Sequence, residues 1–304
     1  MTVTVSLVAG DARVELAPNV GGAIASYTFR GRDVLRPTSD AARAEGLVRG
    51  HACYPLVPYS NRIEHGRLSF RGRTHELALN FGGHPHAIHG VGWQRSWRVL
   101  ARDESSALIA FEHDAAGDHV RAWPWPFHAW QAFALTADGA HATLTLKIGL
   151  RSTGDEPFPF GLGWHPYFPR DAATVLGFTA TRLWETGPTC IPTSIVAPAG
   201  ERCFDPPRAI GGTLLDNVYA GWDGRAELAD PAREHVVAIE GDSACPYLVV
   251  FIAASGDYLA VEPVTQMTDA FNRAARGARD TGTRVLEPGA AFSCTMRISA
   301  RALP

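Results

Sequence analysis

Two short stretches set an ionisable side chain among residues that restrict its motion. In FGLGWHPYF, His165 stands between Trp164 and the run Pro166, Tyr167, Phe168, with Gly161 and Gly163 before it. Pro166 biases His165 toward an extended backbone and fixes φ one residue later, so the imidazole is expected on a stiff segment among aromatic faces. Partial desolvation would lower the pKa of an isolated imidazole and a neighbouring carboxylate would raise it; a merely structural histidine is the third possibility. In YLAVEPVTQMTD, Glu262 ends an apolar run and precedes Pro263. That pattern puts it at a strand's edge, facing either a cleft or solvent, with regular hydrogen bonding behind it. A carboxylate and an imidazole brought together are suited to proton transfer.

Three further motifs carry polar side chains. PLVPYSNRIEHG supplies Asn61 and Arg62 between prolines and a glycine. A guanidinium fork can hold two oxygens at once, but an ion pair with Glu64 fits the same spacing. HPHAIHGVGW gathers His84, His86 and His89 beside Gly90 and Gly92, open to a zinc site, a catalytic or hydroxyl-binding role, or histidines at the surface of a glycine-rich loop. LLDNVYAGWDG offers Asp216 and Asn217 as an Asx turn or as hydroxyl acceptors. Phosphate loop, dinucleotide fingerprint and nucleophile elbow are all absent from the sequence. Tryptophan and tyrosine near polar loops suit a carbohydrate instead, whose C–H faces stack on aromatic rings.

The elements that must position these residues read mostly as strands. HATLTLKIGL alternates, with Leu144, Leu146, Ile148 and Leu150 on one side and Thr143, Thr145 and Lys147 on the other. FSCTMRIS repeats the design, and TVTVSL, ARVEL, IASYTF, ALIAFE, AWQAFALTA, AREHVVAIE, PYLVVFI and YLAVE are further candidates. TQMTDAFNRAA is the clearest candidate for a short helix. The predicted class is all-β, a large antiparallel β-sandwich with few short helices, forming one domain over 1–304. WPWPF and EPFPFGLGWHPYFPR read as packed loops at one end of it. AGERCFDPPRAIGGTLLDN reads as a long irregular connection that walls a site.

Composition narrows the classes. The chain has 304 residues, 46% hydrophobic and 19% charged, which fits a protein with a substantial core. With 28 Lys and Arg against 31 Asp and Glu, its formal charge of -3 gives no net attraction for a phosphate backbone, so no nucleic-acid partner is expected. The five cysteines follow no metal-ligand spacing and are expected as reduced thiols. Nothing resembling an export leader or a membrane-length apolar run occurs, so a cytoplasmic location without membrane attachment is expected.

Across essentially its whole length, from GGAIASYTF to EPGAAFSCTMRI, the sequence resembles the aldose 1-epimerase (galactose mutarotase) superfamily. The matching motifs are N-R-I at Asn61 to Ile63, H-G at His89 and Gly90 with Trp93 after them, H-P-Y-F at His165 to Phe168, L-D-N-V at Leu215 to Val218, and E-P at Glu262 and Pro263. The resemblance implies the galactose mutarotase-like supersandwich, Glu262 as catalytic base and His165 as catalytic acid. Arg62, His89, Asp216 and Asn61 become substrate-binding residues. It further implies an isomerase interconverting the α and β anomers of free aldohexoses, with a small-molecule sugar as partner and neither cofactor nor metal. YPLVPYS before Asn61 and GVGWQRSW after His89 depart from the galactose enzymes and suggest a divergent bacterial-type branch, leaving the preferred sugar open. Two other readings remain: a hexose-6-phosphate mutarotase using Arg67, Arg71, Arg73 and Arg95, or a non-catalytic sugar-binding module. Monomer and homodimer are both compatible with the sequence.

Overall fold

The structure, a computed structural model, describes residues 3–231 and 235–302. Segments with a two-residue hydrophobic period form strands in it. The LTLKIGL run lies in His141–Ser152, which pairs antiparallel with Ala291–Ala302 so that Leu144 stands opposite Ile298 and Leu146 opposite Met296. These side chains are buried, and each such leucine contributes about 1.5–3 kcal/mol of hydrophobic stabilisation. Val5–Ala9, Ala12–Ala17 and Ala23–Phe29 make the expected opening meander. Thr2 of its first expected strand, and the Ala232 to Glu234 start of AREHVVAIE, lie outside the described residues; the remainder of the latter forms His235–Gly241.

Among the described residues, 18 strands join one hydrogen-bonded network. The two α-helices there, Asp40–Glu45 and Ala270–Ala275, have six residues each, and the second falls inside TQMTDAFNRAA. The network folds over at the 16-residue strand Leu215–Asp230. Its first part pairs with Tyr247–Ile252 and its second with His235–Gly241. From there one layer continues through Tyr258–Val264, Gly163–Pro169, Cys53–Leu56 and Ala23–Phe29. The other continues through Ala291–Ala302, His141–Ser152, Phe127–Ala137 and Ser106–His113. Leu16 and Tyr27 from the first layer and Leu144 and Met296 from the second belong to one apolar core. Hydrogen bonds also cross it, from the Tyr27 hydroxyl to the Ile298 carbonyl at 3.4 Å and from the Trp164 indole N–H to Gln131 Oε1 at 3.2 Å.

Three expectations need correction. EPFPFGLGWHPYFPR is not a set of end loops, because Phe158–Phe160 and Gly163–Pro169 are strands and the second lies inside a layer. Its two faces are both buried, so polarity does not alternate, and order comes from neighbours on both edges. Nor does Glu262 sit at a strand's edge. Tyr258–Val264 runs on through Pro263, with Val264 opposite Gly163 and Pro263 opposite Leu248; pairing on both sides overrides the usual stop signal of proline. The 199–217 connection is largely irregular, as expected, but only Asp216 within it reaches the cavity described next.

Candidate active site

Strand register assembles the floor of the site. His165 pairs with Tyr54 on one edge of its strand. On the other edge Gly163 meets Val264 and Tyr167 meets Ala260, so Glu262 falls directly across from His165. Glu262 in turn stands opposite Val249, and Phe251 opposite Asp216. Cross-strand partners project to the same face. Tyr54, His165, Glu262 and Val249 therefore share one side of the sheet, and Tyr167, Phe251 and Asp216 rise on that side one pleat further along. They line a cavity of about 310 Å³, within the roughly 300–1,000 Å³ range of small-molecule sites.

At its centre, His165 Nε2 lies 3.2 Å from Glu262 Oε1, with side-chain exposures of only 9% and 3%. The imidazole is held between Tyr54, stacked at 4.8 Å, and Tyr167, at 4.5 Å, while His89 meets it edge-on at 5.4 Å. Burial, and then the Asp216 carboxylate, push Glu262 well above the usual carboxylate range, against a smaller opposing effect of Arg62. Burial, and then the positive charge of Arg36, lower His165 to about 3. Both charged forms are thus disfavoured, and burial favours a carboxylic acid beside a neutral imidazole, with one transferable proton shared between them.

Loops build the facing wall. Arg62 and Ile63 pair with Ile88 and Ala87, and two left-handed residues, Asn61 at φ 57° and His89 at φ 62°, interlock there. The Asn61 N–H donates to His89 Nδ1 at 3.1 Å and the His89 N–H donates to the Asn61 carbonyl at 2.9 Å. Because Nδ1 accepts, the ring proton of neutral His89 belongs on Nε2. Burial holds His89 well below the usual histidine range, with His165 and Arg62 adding to the effect. Gly90, at φ 72°, follows in the same left-handed region, and a Cβ there would run into the Val57 carbonyl. Only glycine suits that position.

Arg62 is fixed from several directions. Its NH2 donates to Asp216 Oδ2 at 2.8 Å, its NH1 to Asp216 Oδ1 at 3.4 Å and to Asn61 Oδ1 at 3.1 Å. Behind it, the Asp269 N–H donates to the Arg62 carbonyl at 2.8 Å, and Gln266 Nε2 donates to the Ser60 carbonyl at 3.2 Å. The chain just beyond Glu262 thereby braces the loop that carries Arg62.

All six residues singled out from sequence, Asn61, Arg62, His89, His165, Asp216 and Glu262, line this one cavity. Arg62 pairs with Asp216, and Glu64 pairs instead with Arg276. Asn217 points elsewhere, donating to the Trp184 carbonyl at 2.8 Å. Arg67, Arg71, Arg73 and Arg95 do not line the cavity: Arg67 pairs with Glu76 on a hairpin, while Arg71 and Arg73 border a separate depression. The three clustered histidines divide their tasks. His86 accepts from the His65 N–H at Nδ1 and turns Nε2 to the Thr189 carbonyl, and His84 Nε2 accepts from Arg62 Nε at 3.4 Å. No group of three or more potential metal ligands is found among the described residues. Tyr54, Phe81, Tyr258 and Arg49 also line the cavity and escaped the sequence reading. Only the register with Gly163–Pro169 reveals Tyr54, and nothing local marks the others.

The fold defines the class, a galactose mutarotase-like β-sandwich. The chain belongs to the aldose 1-epimerase family, whose model matches residues 4–299. It is 28% identical over 268 residues to the uncharacterised protein YphB of Escherichia coli (strain K12), covering 83% of this chain and 85% of that protein. It superposes on a crystal structure of a candidate aldose 1-epimerase from Escherichia coli K12 with a TM-score of 0.88, at 25% identity and with 100% of both chains covered. A galactose mutarotase-like protein of Clostridium acetobutylicum matches with a TM-score of 0.84 at 18% identity, over 99% of this chain and 96% of the other.

Proposed function

We propose that this chain is an aldose 1-epimerase that interconverts the α and β anomers of aldohexoses, with Glu262 as base and His165 as acid. The observation that carries the proposal is the 3.2 Å contact between His165 Nε2 and Glu262 Oε1 on the floor of a sugar-sized cavity. Anomer exchange needs a proton taken from the anomeric hydroxyl and another delivered to the ring oxygen as the C1–O5 bond opens. Passage of the shared proton from Glu262 to His165 gives the reactive form of the pair; carboxylate Glu262 then accepts the first proton and imidazolium His165 gives the second, so opening leaves a carboxylic acid and a neutral imidazole. Burial favours that same form of the pair. Rotation about C1–C2 presents the other face of the aldehyde, and the reverse transfers close the opposite anomer. No electron or group is lost, and the pair regains its starting charge.

Arg62 and the Nε2–H of His89 are donors set in place before substrate arrives, suited to holding ring oxygens and to negative charge developing on them. Asp216 keeps acceptor capacity for sugar hydroxyls while it orients Arg62. Tyr54, Tyr167 and Phe251 give the C–H faces of a pyranose apolar surface. The test is polarimetry on freshly dissolved α-glucose and other aldoses, corrected for spontaneous conversion. Glu262→Gln and His165→Asn are each expected to reduce turnover at least ~100-fold. Wild-type-like rates in both variants would remove the assignment.

A further inference from the structure

The charges around the cavity do not balance, and the imbalance points to a narrower substrate class for the site proposed above, on which this inference rests. Arg62 is matched by Asp216. Glu262 faces His165 at 3.2 Å, and with one proton shared between them the two carry no net charge. Two guanidiniums remain. Arg49 lines the cavity and lies over the Phe81 ring at 4.2 Å. Arg36 lies over Tyr167 at 4.0 Å and Tyr258 at 4.5 Å, two rings of the same cavity, and donates to the backbone carbonyls of Arg49 and His51 at 3.0 and 3.1 Å. Among the described residues neither forms an ion pair with a carboxylate. The chain as a whole is slightly acidic, with a formal charge of -3, so this positive mouth does not follow from a generally basic surface. An unmatched positive charge beside low-dielectric walls concentrates anions there.

We propose that the substrate is a pyranose carrying a negatively charged exocyclic group, carboxylate or phosphate, received by Arg49 at the mouth of the cavity. Arg36 stays bound to backbone carbonyls and acts there as a fixed positive charge. The Arg49 guanidinium has no such anchor: among the described residues it lies against the face of Phe81 without a hydrogen-bond acceptor, which leaves its five N–H donors available for a bidentate grip on an oxyanion. The aromatic support limits the freedom the guanidinium loses when it makes that grip. A bland alternative is that Arg49 only braces Phe81 as part of the wall, and it predicts equal effects on charged and uncharged sugars.

Anomer exchange measured by nuclear magnetic resonance with glucose, glucuronate and glucose 6-phosphate separates these outcomes. At least one anionic sugar is expected to exceed glucose in kcat/KM by ~10-fold or more, and that advantage is expected to shrink as salt rises from ~20 to ~500 mM. Arg49→Gln is expected to reduce the anionic-to-neutral ratio about tenfold, and Arg49→Glu to invert it; the leading sugar identifies the anion. Equal kcat/KM for all three sugars, or a loss in Arg49→Gln that is the same for each, overturns the inference while leaving anomer exchange intact. Calorimetric titration of Glu262→Gln with the same three sugars reads charge preference without turnover. If wild type accelerates none of them yet the anions still bind more tightly, the proposed activity fails and the charge preference stands; if the anions bind no more tightly than glucose, the preference fails.

Discussion

The floor and the wall of the cavity are built in different ways. Floor residues His165 and Glu262 sit on adjacent paired strands, so the pleat alone sets them face to face, and Tyr54 and Tyr167 clamp the imidazole. Wall residues Asn61, Arg62 and His89 sit on loops that need two non-glycine residues in the left-handed region and bracing from Gln266 and Asp269. A left-handed residue costs roughly 1–2 kcal/mol, which the interlocking hydrogen bonds must offset. The difference teaches a division of labour. On the proposed assignment, the groups that must meet with sub-ångström fidelity belong to the sheet, while those that would tell one sugar from another belong to loops, which can vary without moving the proton-transfer pair.

The sharpest way to break that contrast is to remove the whole floor. If Glu262 and His165 act as one proton-transferring unit, the double variant Glu262→Gln/His165→Asn falls no further than the worse single variant, at least ~100-fold below wild type, because either change alone disables the exchange. Losses that multiply in polarimetric turnover would show two independent contributors. A smaller effect is expected at the seam between floor and wall. Asp216→Asn leaves the Arg62 guanidinium short of its charged partner and is expected to raise KM by ~10-fold with a lesser change in kcat. Asp216 is also one of the groups that raise Glu262. Its neutralisation lets Glu262 lose its proton at lower pH, so the high-pH limb of the activity profile is expected to move downward. An unmoved limb would separate Asp216 electrostatically from the pair.

The smallest effect is on stability, and its sign follows from burial. In the unfolded chain Glu262 titrates near its ordinary value of 4.5, whereas in the folded protein it retains its proton to higher pH. Folded wild type therefore loses stability as pH rises above that value, by up to ~1.4 kcal/mol per pH unit. Glutamine does not titrate. Glu262→Gln is thus expected to melt above wild type at pH 7, with the gap closing toward pH 4.5, as seen by calorimetry. A variant that melts below wild type at neutral pH would mean that Glu262 is held as a stabilised carboxylate.

The same contrast explains what the sequence revealed. Strands with one polar face, such as His141–Ser152, could be read from alternation alone, and so could the sandwich class. Gly163–Pro169 could not, because Trp164 and Phe168 turn to the core while His165 and Tyr167 turn to an equally enclosed cavity. The six polar site residues were legible through their short motifs, although what joins them is distant register rather than spacing. Tyr54 and Arg49 were not, since a tyrosine in a buried strand and an exposed arginine carry no local mark of the cavity they border. The arginines that did stand out, Arg67, Arg71, Arg73 and Arg95, illustrate the converse: abundance in sequence is no guide to convergence in space.

On the proposed reading, paired strands make Glu262 and His165 share one transferable proton in a buried site. Nitrogen-15 magnetic resonance of the His165 imidazole, assigned by its loss in His165→Asn, tests it most directly. A ring that stays neutral from pH 8 down to pH 5, consistent with a pKa lowered to about 3, is the predicted result. A second proton appearing on that ring near 6.5, as on an exposed histidine, would contradict it.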